Sequence, residues 1–220
     1  MSGGRRERAD AQRNRRAILA ATEKLLATRR PQDISMEQVA VVAGVGKGTV
    51  FHRFGNRTGL MRALMIERAQ ALEEAVTAGP PPLGKGAPDR DRLLAFLDAI
   101  VDVVSRNKSL LAELGHSAAA ALSAKEPEAH EGGSHPVYEF WHGHVSSLIA
   151  AQRPDADAEL IAHIILGSLH SEPILGGLTT GGPHRLSTAI RALTCAVLDA
   201  PGAGAGARPT LVREEFRTFE

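Results

Sequence analysis

Apolar residues recur along this chain every three or four positions, the spacing of one helix face, and nowhere alternate over a strand's length. Ile18, Leu25 and Leu26, with Ala21 and Thr22 between them, mark a first helix over Asp10–Arg29, with Arg13, Arg15 and Arg16 off the stripe. Pro31 closes it, because a proline disfavours helix at the residue before it. The second helix carries a full start signal. Ser35 and Gln38 stand as a capping box, each side chain able to satisfy the other's free backbone N–H, and Ile34 and Val39 form a hydrophobic staple. Met36, Val39, Ala40 and Ala43 give its buried face, and Gly44 suits a left-handed C-terminal cap. Val45 then turns inward, Gly46 serves as a modest N-cap, and Val50 with Phe54 forms the inner seam of a third helix. Lys47, Gly48, Thr49, Phe51 and His52 are left off that seam. Asn56 can cap a fourth helix running to about Ala78.

After a Pro- and Gly-rich loop over Pro80–Pro88, the helix Asp89–Arg106 is apolar on more than one side, the mark of a core helix. An Ala-rich helix from Ser109 to about Ala124 and a polar loop over Lys125–Ser134 follow. Pro136, favoured in a first turn, opens the clearest amphipathic helix, striped by Val137, Phe140, Trp141, His144, Val145, Leu148 and Ile149 and ended by Pro154. Asp155 can cap the next, with Leu160, Ile161, Ile164, Ile165 and Leu169 apolar, until Pro173 kinks or ends it. A Gly-rich loop leads to a last helix, Pro183–Leu198. The fold is expected to be all-α. A three-helix helix-turn-helix head joins through a long helix to a larger helical body. The expected divisions are a flexible basic arm (1–9), the head (10–56), the body (57–199) and a disordered tail (200–220).

Charge sharpens this division. The net charge of +1 conceals a head in which residues 1–62 hold 13 Lys and Arg against 5 Asp and Glu, on an acidic remainder. A basic end on an acidic body points to a polyanion touching only the N-terminal part. One cysteine, Cys195, excludes an intrachain disulfide and a Cys-rich zinc site. No apolar run approaches the roughly 20 residues that span a bilayer, and the basic N-terminus lacks a signal peptide's apolar stretch. A cytoplasmic protein with no membrane partner is the economical expectation.

Helices 2 to 4 resemble the N-terminal domain of the TetR-type transcriptional regulators. The resemblance rests on Ile34-Ser35-Met36-Glu37-Gln38-Val39-Ala40, then Ala43-Gly44-Val45-Gly46-Lys47-Gly48-Thr49-Val50-Phe51, then Phe54, Asn56-Arg57 and Leu60. It covers roughly residues 10 to 65. It implies a repressor that grips a palindromic operator in double-stranded DNA, binds a small-molecule effector in the body, and forms a homodimer through its last two long helices. Carried over by position, Lys47 meets base edges, as lysine does at guanine O6 and N7, and Gly48 lets backbone approach closely. Ser35 and Thr49 meet phosphate, Arg57 stands in for a usual lysine beside a phosphate, and His52 meets the backbone. Phe51 replaces a usual tyrosine and can meet a thymine methyl. Thr58-Gly59 replaces a usual acidic pair, with Gly59 costing roughly 1 kcal/mol in a helical turn.

Other chemistry is weaker. AGVGKGTV lacks the Ser or Thr after Gly-Lys and the leading glycine of a phosphate loop, and it fails the dinucleotide pattern at Thr49. Gly115-His116-Ser117 echoes a nucleophile elbow in a helical context. His142 and His144 diverge on their helix, and His163 and His170 stand too far apart for one metal. No metal, cofactor or enzymatic role is therefore expected. His144 interrupts an apolar stripe and is either a satisfied core histidine or a polar handle in a pocket walled by Phe96, Ile100, Leu114, Phe140 and Trp141. The competing reading is a helical enzyme or carrier that uses that cavity.

Overall fold

The computed structural model describes residues 3–114, 136–169 and 171–201. Expectations for Gly115-His116-Ser117, for Lys125–Ser134, for His170 and for the tail beyond residue 201 lie outside them. The described residues form eight α-helices and no β-strand: α1 Gly3–Leu26, α2 Met36–Ala43, α3 Lys47–Phe54, α4 Arg57–Ala78, α5 Asp89–Leu114, α6 Pro136–Gln152, α7 Ala158–Ser168 and α8 Glu172–Asp199. The all-α expectation holds.

The head is built as its capping signals dictate. Ser35 Oγ accepts from the Gln38 N–H at 3.1 Å while the Ser35 N–H donates to Gln38 Oε1 at 3.0 Å, completing the box that starts α2. Gly44 ends α2 at φ 67°, a left-handed conformation that costs a side-chain-bearing residue roughly 1–2 kcal/mol. Gly46 begins α3, and Asn56 Oδ1 accepts from the Gly59 N–H at 2.9 Å to begin α4. Ile18, Leu19, Leu25, Ile34, Met36, Val39, Val50, Leu60 and Leu64 close over one core.

The body holds a second core. Leu72 and Val76 of α4, Leu93, Phe96, Leu97 and Ile100 of α5, and Trp141, Val145 and Ile149 of α6 fill it, with Ala162 and Leu166 of α7 and Ile190 of α8. Arg90 bonds both Asp199 carboxylate oxygens at 2.6 and 2.8 Å, and Arg191 bonds Asp98 at 2.7 Å, fastening α8 along α5. Arg153 donates to the Ala200 carbonyl at 2.9 Å, satisfying a backbone oxygen at the end of α8.

Several boundaries differ from expectation. α1 starts at Gly3 rather than Asp10, since residues 3–9 contain no proline and are rich in helix formers, and it stops at Leu26. The break expected after Arg106 is absent: Asn107 and Lys108 are polar, but neither is a helix breaker, and α5 runs on to Leu114. Asp157, not Asp155, caps α7, because Asp155 is held by Arg153. Pro173 opens α8 instead of ending its predecessor, its fixed φ suiting a first turn. The Gly-rich segment before Pro183 is helical up to Gly182, where φ 68° marks a kink.

Gly59 also reads differently in three dimensions. A Cβ there would fall onto the Phe54 carbonyl, so the α3–α4 turn needs a glycine; at Gly48 a Cβ would meet open space. Alanine at Gly48 is expected to raise stability by up to about 1 kcal/mol through helix propensity. Alanine at Gly59 is expected to lower it by about 1–3 kcal/mol through overpacking. Urea unfolding midpoints test the pair, and shifts of the same sign would contradict the turn geometry.

Candidate nucleic-acid interface

α3 is short, and its register leaves one face to solvent. Val50 is fully buried and Phe54 half-buried, which turns Lys47, Gly48, Phe51 and His52 outward and leaves Thr49 at the margin. Phe51 is 38% exposed, a large apolar ring on a polar surface. Ser35 and Arg57 stand exposed at the starts of α2 and α4. The seven residues expected to form the interface thus lie on the head's helix-turn-helix, none of them in its core. Arg53 shares the exposed side of α3 and was not among them; its place one turn beyond Thr49 is the signal that could have found it.

Two of these side chains are already engaged. Arg57 donates to the Gln32 carbonyl at 2.8 Å, which ties the start of α4 to the connection before α2. Lys47 Nζ lies 2.6 Å from Glu37 Oε1 and 5.5 Å from the centre of the Phe51 ring. Its hydrogen bond is the first cause holding the Glu37 carboxyl below the ordinary glutamate value, with a backbone amide and the Ser35 hydroxyl adding to it.

The head meets the body at Arg68. This residue occupies the apolar stripe of α4 between Leu64, in the head core, and Leu72, in the body core. Its side chain is only 7% exposed. Nε and one terminal nitrogen donate to the two Glu23 oxygens of α1 at 2.7 and 3.0 Å, and the other donates to Asn107 Oδ1 of α5 at 3.0 Å. Beside it a groove of about 630 Å³ opens between α1, α4 and α5, floored by Leu19, Leu64, Leu72 and Val103.

Five of the six residues expected to wall an effector pocket gather between α5 and α6; the side chain of Leu114 lies outside those described. Phe96, Ile100 and Trp141 are buried and Phe140 half-buried. The His144 ring meets Phe96 edge-on at 4.7 Å and lies parallel to Phe140 at 6.2 Å. His144 Nε2, Trp141 Nε1 and Arg92 Nε are buried with no hydrogen-bond partner among the described residues, a costly arrangement. Burial, and then the charge of Arg92, holds His144 below the ordinary histidine value. The groove at Arg68 is lined by none of these six residues. Among the described residues no cluster of His, Cys, Asp or Glu is arranged to hold a metal, and no helix is long and apolar enough to cross a membrane.

The hydrogen bonds from Arg68 are the main reason that Glu23 sits below the ordinary glutamate value of 4.5. A depressed carboxylate contributes stability that is complete above its unfolded value and drains away as pH falls through the folded one. Stability is therefore expected to fall below about pH 4.5, more steeply in the native chain than in Glu23→Gln. Glu23→Ala is expected to cost about 2–3 kcal/mol, less than the roughly 3–5 kcal/mol for breaking a fully buried pair, since Glu23 is itself part-exposed. Parallel pH profiles of the two proteins in chemical denaturation would refute the pairing.

Comparison with known proteins bears on the head and on the fold. Residues 18–64 match the family of bacterial regulatory proteins of the tetR type. Over 88 residues the chain is 32% identical to the HTH-type transcriptional regulator BetI of Cronobacter sakazakii, covering 40% of this chain and 43% of that one. The chain spans less than half the length of the curated relatives it matches. In fold it is similar to the TetR transcriptional regulator SCO0520 of Streptomyces coelicolor, with a TM-score of 0.57, 21% identity, and 84% and 97% of the two chains covered. A TetR-family transcriptional regulator from Rhodococcus sp. superposes with a TM-score of 0.54, 19% identity and coverage of 85% and 99%.

Proposed function

We propose, from the premise that this chain belongs through its N-terminal domain to the tetR family of bacterial regulatory proteins, that it is a cytoplasmic, sequence-specific DNA-binding repressor. It acts as a homodimer on a palindromic operator and is released by a small molecule bound in the body. The observation that carries this reading is the exposed set Ser35, Lys47, Gly48, Phe51, His52 and Arg57, with Thr49 at its margin, on a helix-turn-helix closed by its caps. Lys47 is the base reader, by donation to guanine; Gly48 admits the backbone; Phe51 meets a thymine methyl. Ser35, Thr49, His52 and Arg57 grip phosphates and fix the register.

Dimerisation is supported by the last two long helices. Leu160 and Ile164 of α7 are 55% and 62% exposed, and Leu193 of α8 is 68% exposed, more apolar area than an isolated surface needs. A Cβ at Gly167 would meet open space, so a second copy can approach closely there. The effector site is the α5–α6 region around His144, Phe96, Ile100, Leu114, Phe140 and Trp141, where apolar walls surround buried nitrogens in need of partners. The effector favours a head spacing that no longer fits two successive major grooves. It can shift that equilibrium only by its differential affinity for the two states. The role requires no catalytic residue, metal or cofactor.

Selection from a random duplex library by the purified protein is expected to return a two-fold symmetric site; enrichment of no sequence would defeat the proposal. On that site, Arg57→Ala is expected to weaken binding to all sequences and to lower the slope of log affinity against log salt by about 1. An unchanged slope would remove Arg57 from the phosphate contacts. Leu193→Glu is expected to convert a dimer in sedimentation into a folded monomer with weakened operator binding. A dimer unaffected by both Leu193→Glu and Ile164→Glu would put the interface elsewhere.

A further inference from the structure

Glu37 is not one of the seven interface residues, yet it is the side chain that holds the base reader. It projects from the first turn of α2, exposed like Lys47, and its carboxylate meets the ammonium at 2.6 Å. The same ammonium lies over the Phe51 ring, 5.5 Å from ring centre to nitrogen. A lysine head group is otherwise a mobile point charge carrying about 2 kcal/mol of rotamer entropy, and any phosphate can capture it. Here it is held by an anion on α2 and lies over an aromatic ring of its own helix.

The pair has a shape that DNA can recognise. It presents a donor beside an acceptor on one outward surface. The major-groove edge of a G·C pair presents guanine N7 and O6 as acceptors and, next to O6, the cytosine N4 amino group as donor. We infer that Glu37 and Lys47 read one G·C base pair together, Lys47 Nζ donating to guanine O6 and N7 and Glu37 accepting from cytosine N4. A T·A pair also sets an acceptor beside a donor, but where guanine offers N7 thymine ends in a methyl group, so a second donor of the ammonium finds no acceptor. Reversing the pair to C·G sets the amino group against the ammonium. The carboxylate also repels phosphates, so it keeps Lys47 from becoming a sequence-blind contact.

This inference rests on the proposed DNA-binding function, and its test separates the two. The native protein, Lys47→Ala and Glu37→Ala are each taken through selection on random duplex DNA, followed by affinity measurements on every single-base variant of the enriched site. Glu37 is exposed and a capping role belongs to its neighbours, so a folded Glu37→Ala variant is expected, checked by its helical circular dichroism. Both variants are expected to lose discrimination at the same base pair in each half-site, a G·C pair in the native site, by at least about fivefold. Glu37→Ala is also expected to bind random-sequence DNA more tightly than the native protein. If it binds all sequences more tightly with an unchanged preference profile, Glu37 is only a repulsive charge and the inference fails. Relaxation by the two variants at different base pairs overturns it as well. A native protein that enriches no sequence takes the inference down together with the function it rests on.

Discussion

A guanidinium buried between two apolar cores sets the terms for the rest of this molecule. Arg68 lies on the same stripe of α4 as Leu64 and Leu72, so the helix cannot place those leucines in their cores without taking the charge inside with them. Burying a lone ion costs several kcal/mol even after relaxation, and only well-aligned partners offset it. Glu23 and Asn107 supply those partners from α1 and α5. Apolar packing is indifferent to small rotations, whereas a bidentate pair with a third bond is directional. Three directional hydrogen bonds therefore add to the packing of Pro31–Asp33 against α5 in setting the angle between head and body.

The groove beside Arg68 makes the same point from the other side. About 630 Å³ of open space lies between α1, α4 and α5 beside the buried guanidinium, so that part of the seam is not close-packed. Neighbouring charges such as Arg15 with Glu67 at 3.4 Å, and Arg106 with Glu23 at 3.8 Å, are part-exposed and individually weak. A seam of this kind is stable in one arrangement and yields when that arrangement loses a partner. Asn107 and Arg106 are the body's polar contributions to it, on the same helix as Phe96 and Ile100 of the proposed effector region.

Much of the head was legible in the sequence because its signals are local. The capping box at Ser35 and Gln38, the glycine at 44 and the cap at Asn56 each act within a few residues, and each formed as the spacing implied. What escaped was non-local or two-sided. Glu37 and Lys47 meet across a turn between helices, and Glu23 and Arg68 across 45 residues, distances that no periodicity reports. In α7 the run Leu160, Ile161, Ile164, Ile165 is apolar on two sides, so spacing alone does not choose which side the core takes. The structure gives the core to Ala158, Ala162 and Leu166, and turns Leu160 and Ile164 out. Gly59 looked like a local cost and is instead a steric requirement set by the Phe54 carbonyl.

These features constrain how a signal can reach the interface. The head's internal turns have little freedom: Gly44 is fixed by its left-handed geometry, α2 by two reciprocal hydrogen bonds, and the α3–α4 turn by a backbone contact that admits no side chain at Gly59. Lys47 and Arg57 are each tied to another element of the head, at Glu37 and Gln32. Deforming α3 to abolish recognition would break several of these at once. Rotating the whole head leaves all of them intact and loosens the contacts around Arg68 and those of Pro31–Asp33 with α5. In the proposed dimer, which would span two half-sites, a small rotation at the seam would be multiplied by the length of α1 and α4 into a displacement at α3. The least costly switch is therefore one in which the reading surface never changes shape and only its distance from the second copy does.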